Sequence, residues 1–148
     1  MSMEDNLRLE RYKLVTDRQK YFTELARGTF ASYMRAFTVL ASGGIALVST
    51  KSKLELQPRL LLPLLDGIVY LIAFLGVAAI GQIIFCLVRW HGFRRAERKI
   101  NPDSPEIRQW WWVFEGLYCT AIAASTVAVW VLSRRLSVII EEMARQTQ

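Results

Sequence analysis

A chain of 148 residues is one domain by length, and its 53% of hydrophobic residues exceeds the soluble norm of about 45–50%. The 22% of charged residues, with a net charge of +6, fall almost entirely in four blocks and leave three long stretches nearly free of charge. A soluble protein spreads its charges so that every helix keeps a polar face, so this segregation excludes an ordinary soluble domain and predicts an all-α integral membrane protein with three transmembrane helices.

The chain opens MSMEDNLRLERYKLVTDRQK, charged throughout and without the apolar core or small-residue cleavage site of a secretory signal. Residues 4–27 read as a helical, amphipathic arm. Leu7, Leu14 and Tyr21 are spaced by seven, Val15 and Phe22 likewise, and Leu25 extends the stripe. Glu10, Arg11, Asp17, Arg18 and Glu24 occupy the rest of the surface. Such an arm either rests on the membrane surface or packs as a short seam against copies of itself or a partner. With no proline before the first span, arm and span are expected to form one long helix.

A spanning helix needs about 20 mainly apolar residues at about 1.5 Å each. The first candidate, residues 28–50, reads GTFASYMRAFTVLASGGIALVST. Its single charge, Arg35, lies two turns from the charged end, where a long side chain can snorkel to the headgroups. Gly43 and Gly44 suit a membrane helix and permit close helix packing. The second candidate, residues 60–88, contains 22 uncharged residues from Gly67 to Val88 with one amide, Gln82. The preceding LLLPLLD adds a turn or two, and Pro63 is tolerated near a helix start.

After this span RWHGFRRAERKI continues as a basic helix, and Arg94, Arg95, Arg98 and Lys99 are placed to meet anionic lipid headgroups. Membrane orientation already accounts for these charges, so nucleic acid is not needed to explain the pI of 9.7. The loop 89–109 breaks at NPDSPE, where Ser104 as N-cap, Pro105 at the first helical position and Glu106 in the first turn start a third helix. Its span, residues 110–133, reads WWWVFEGLYCTAIAASTVAVWVLS and is interrupted only by Glu115. Thr120, Ala121, Ala124, Ser125 and Ala128 share a small-residue face that lets another helix approach. The tail 134–148 is amphipathic, with Leu136, Ile139, Ile140 and Met143 at helical spacing.

Tryptophan favours the membrane interface because its indole is apolar in body and polar at one edge. Trp90, Trp110, Trp111 and Trp112 fall at one depth and Trp130 near the other face, which makes them interfacial anchors. Lysine and arginine orient the chain. The N-terminal segment and the loop 89–109 together hold twelve, the first loop and the tail six. The arm is therefore expected in the cytoplasm, the host membrane being a bacterial inner membrane, although Arg134 and Arg135 argue mildly the other way.

Arg35, Asp66 and Glu115 are the ionisable groups within or beside spans, which makes them the natural functional candidates. Arg35 and Glu115 lie at similar depth, so an intramembrane ion pair between spans one and three is expected to orient two helices or be dispensed with as each side chain reaches headgroups alone. Asp66 is expected to be solvated. Gln82 suits a hydrogen bond across helices. Cys86 and Cys119 lie inside apolar stretches with no cysteine or histidine at ligand spacing, so both read as small apolar side chains, with no disulfide, metal or other cofactor. His91 lacks a partner at ligand spacing and reads as interfacial; no phosphate loop, nucleophile elbow or HExxH is present. Nothing here predicts an enzyme.

The stretch RQKYFTELAR leading into a membrane hairpin, with HGFRRAERK after the second span, resembles the two-span SLATT modules of bacterial defence effectors over about half the chain. The third span and the triple tryptophan depart from that pattern. The resemblance implies a membrane-perturbing action. Two functions follow as expectations: a self-assembling membrane protein, as a pore or effector, or an accessory or scaffold subunit of a larger membrane complex that docks through its arm.

Overall fold

A computed structural model describes residues 3–49, 58–101 and 111–146, with the side chains of 58, 59, 111, 112 and 140–146 outside that description. The described residues form three α-helices and no strand: α1 (Met3–Ser49), α2 (Pro58–Ile100) and α3 (Trp111–Gln146). All three are long and apolar enough to cross a membrane, the length and composition that an integral membrane protein requires. The proposed cap at Ser104, Pro105 and Glu106, and Trp110, lie outside the described residues.

Arm and first span are one helix, as the absence of proline predicts. At 47 residues α1 is about 70 Å long, more than twice the ~30 Å hydrocarbon core. Hydroxyls along it donate to the carbonyl four residues back: Thr16 to Tyr12, Thr23 to Gln19, Thr29 to Leu25, Thr38 to Met34, Ser42 to Thr38 and Ser49 to Ile45, at 2.6 to 3.1 Å. Such back-bonding satisfies a hydroxyl without a partner helix, which lets α1 carry serine and threonine into an apolar stretch. The second helix likewise runs through the basic segment, closing where the Asn101 amide donates to the Glu97 carbonyl at 2.8 Å. Pro63 lies inside α2, exposed and within its first two turns.

The chain divides into two compact units, each drawing on all three helices. One takes α1 through Ala31, α2 from Ala79 and α3 to Cys119. Its core holds Val15, Ala26, Ala79, Ile83 and Cys86, all buried. Phe22 packs on Phe93 at 5.8 Å and on Phe85 at 6.4 Å between ring centroids, and Phe30 stacks on Tyr118 at 4.6 Å. The other unit takes α1 from Ser32, α2 to Ala78 and α3 from Thr120, around Tyr33, Leu61, Ile72 and Ile122.

The arm is only partly packed as its spacing suggests. Val15 is buried and Phe22 and Leu25 half-buried, but Leu7, Leu14 and Tyr21 face outward. The inward face is instead Tyr12, Val15, Gln19, Phe22 and Ala26, alternating by three and four. Polar Gln19 hides this second stripe in the sequence.

Candidate functional site

Two polar clusters stand out, one in each unit. In the first, Glu97 on α2 is 4% exposed, although a lone buried carboxylate is costly unless paired and hydrogen-bonded. One turn of helix brings Arg94 onto it as an ion pair, and the Gln19 side-chain amide donates to Glu97 Oε2 at 2.6 Å from α1. The cluster therefore latches the arm to the basic end of α2. It also removes Arg94 from the patch assigned to lipid headgroups: its side chain is 12% exposed, while Arg95, Arg98 and Lys99 remain outward.

Above this latch, Phe22, Thr23, Ala26, Cys86, Leu87, Trp90, His91 and Glu115 enclose a cavity of about 10 Å³, which admits at most one water. Glu115 is half-buried there, and its Oε2 makes no hydrogen bond among the described residues. Arg35, its partner by sequence reasoning, belongs to the other unit and is exposed. Beside Trp90, Thr16, Gln19, Lys20, Thr23, Glu24 and Arg27 line an open groove of about 300 Å³. Lys20 and Arg27 thus share one groove with Trp90, a grouping that needs α1 and α2 side by side and is not visible in either segment alone.

In the second unit the Tyr33 hydroxyl is the hub. It lies 2.9 Å from Ser125 Oγ and 3.1 Å from Thr126 Oγ1. Both of those hydroxyls donate to the Ile122 carbonyl, at 2.9 and 2.8 Å, so each has a lone pair free to accept the tyrosine proton. Tyr33 is buried, and an interhelical hydrogen bond of this kind contributes about 0.6 kcal/mol on average in a membrane protein. Tyr33→Phe is expected to lower stability by about 0.5–1.5 kcal/mol, read as a drop in the thermal midpoint in detergent with unchanged helix content. Ser125, expected on a small-residue face that another helix can approach, is half-buried and meets α1 of the same chain through this hub.

Gly76 lets the hub form. A Cβ there would meet Thr126 Oγ1 at 2.9 Å, Ile122 Cγ2 at 3.4 Å and Tyr33 Cε2 at 3.6 Å. Of the two glycines singled out from sequence, Gly44 is buried, its Cβ position 3.9 Å from Ile68, while Gly43 is exposed with nothing within 4 Å. The remaining small residues, Ala121, Ala124 and Ala128, are exposed.

Other predicted positions are plainly placed. Trp130 is exposed with the Arg134 guanidinium 5.6 Å over its ring, an arrangement suited to an interface. Trp90 is half-buried, its ring edge-on to half-buried His91 at 5.1 Å. Trp111 and Trp112 begin α3, with side chains outside the described residues. Asp66 is exposed and Gln82 half-buried. Cys86 and Cys119 are free thiols, buried and half-buried. Among the described residues no group of three histidine, cysteine or acidic side chains could hold a metal ion. Comparison with family models, curated proteins and solved structures finds no match to this chain.

Proposed function

We propose that the chain is a small, non-enzymatic integral membrane protein that assembles with copies of itself in the bilayer. The observation that carries this reading is the outward surface of α3. In its most apolar 18-residue window only 6% is buried, against 28% in α2, and the exposed part includes Ala121, Ala124 and Ala128. Lipid covers apolar surface well, but small side chains are what allow two membrane helices to approach closely. The excess of lysine and arginine in the arm and the loop 89–109 supports a cytoplasmic arm, and a bacterial inner membrane is the setting this polarity fits.

The test is the mass of the intact assembly in detergent and in nanodiscs. A discrete oligomer is expected, and Ala124→Leu, which places a branched side chain on the exposed face without touching the Tyr33 hub, is expected to shift it toward monomer. A monomer at every protein-to-lipid ratio refutes the reading. The second reading, an accessory subunit docking through the arm, is favoured by the outward row Leu7, Leu14 and Tyr21. It predicts co-purification with a different membrane protein that is lost when residues 1–27 are removed.

A further inference from the structure

The arm of α1 carries two faces. One is packed: Val15 is buried, Phe22 stacks on Phe93, and Gln19 reaches Glu97. The other presents Leu7, Leu14 and Tyr21, which are 47%, 59% and 53% exposed, in a row with steps of about 10 Å. Three residues after each comes an acid, Glu10, Asp17 and Glu24. Four residues after the first two comes a base, Arg11 and Arg18. All five charged side chains are exposed. At about 100° per residue, the acidic row stands about 60° to one side of the apolar row and the basic row about 40° to the other.

We propose that this face pairs with the same face of a second copy, the two arms running parallel; the inference rests on the self-assembly reading above and names one of its contacts. In a parallel pair related by a twofold axis along the helices, the flank on one side of a helix meets the opposite flank of its partner. Glu10 and Asp17 of each copy then face Arg11 and Arg18 of the other, on both sides of the apolar seam. In an antiparallel pair each flank meets its own kind, acid against acid and base against base, which is unfavourable. Copies inserted in a membrane with one topology are parallel by construction, so the favourable register is the one the membrane imposes. A lipid surface is a poorer occupant. The apolar strip is one residue wide, far short of the broad face that sinks into an interface.

The experiment uses the full chain reconstituted in nanodiscs, with Leu14→Cys placed in a background of Cys86→Ser and Cys119→Ser and oxidised to form a disulfide. A dimer joined at residue 14 is expected. The variant Glu10→Lys, Asp17→Lys, Glu24→Lys makes both flanks basic, and Arg11→Glu, Arg18→Glu makes both acidic. Each alone is expected to lose the cross-link, and mixing the two is expected to restore it between unlike chains. Cross-linking that survives either charge variant alone overturns the proposal. The same charge variants in the chain with its native cysteines, read by intact mass, keep the test independent of the serine replacements. If the oligomer keeps its mass while the residue-14 cross-link is absent, the arm contact is wrong and self-assembly stands through the spans. If the native chain is monomeric throughout, both fall.

Discussion

Gly76→Ala is expected to destabilise the protein by about 1–3 kcal/mol, the usual cost of forcing a methyl group into a well-packed contact. In an exposed helix the same change is favourable by up to about 1 kcal/mol, because alanine loses less backbone entropy. The contact decides the sign here. The new methyl would stand 2.9 Å from Thr126 Oγ1, and that oxygen is not the loose end of a flexible chain. It donates to the Ile122 carbonyl at 2.8 Å and lies 3.1 Å from the Tyr33 hydroxyl, so yielding space disturbs two hydrogen bonds. Gly81→Ala is the matched control, since its Cβ would meet nothing within 4 Å; it is expected to be neutral or mildly stabilising. Thermal midpoints in one detergent compare the pair. The double variant Gly76→Ala, Thr126→Ala removes the oxygen and is expected to cost less than the sum of its singles. Additive effects would show that Thr126 is not what Gly76 makes room for.

The contrast between Gly76 and Gly43 shows what the sequence could and could not carry. Three apolar stretches, each long enough to span, are a one-dimensional property, and the three helices follow them closely. The uninterrupted run from arm to span is legible for the same reason: no proline breaks residues 3–49. Which face of each helix meets another is a different kind of information, because in a membrane segment nearly every residue is apolar and the period that marks a buried face in water is erased. Gly43 and Gly76 look alike in such a stretch; only the presence of Thr126 and Ile122 opposite separates them. On the arm the difficulty is inverted. There the regular spacing of Leu7, Leu14 and Tyr21 marks a real stripe but not the packed one, since Gln19 occupies a central position of the packed face to serve Glu97. A buried carboxylate on a basic helix gives no signal until its two partners are brought to it. Among RRAERK, Glu97 reads as one charge in a solvated run.

Removal of that carboxylate has the second large expected effect. In Glu97→Ala the Arg94 guanidinium, only 12% exposed, loses its counter-charge, and Gln19 loses the acceptor that ties α1 to α2. Breaking a buried pair by deleting one partner costs about 3–5 kcal/mol, and the small residual exposure of Arg94 places the expected loss toward the lower end of that range. The surface pair Arg8–Glu4 supplies the comparison. Its side chains are 69% and 77% exposed, and Glu4→Ala is expected to change stability by no more than about 1 kcal/mol. The loss at Glu97 should also have a location. Because the latch holds the middle of the arm, amide hydrogen exchange in residues 12–22 is expected to accelerate more than exchange in the α1 segment beyond Ser32. Glu97→Gln, which keeps an acceptor for Gln19 but not the charge, should fall between the wild type and Glu97→Ala. Equal exchange in the arm before and after Glu97→Ala would mean that Phe22 and Val15 hold it without the latch. The polar cluster would then serve to accommodate Arg94 rather than to position the arm.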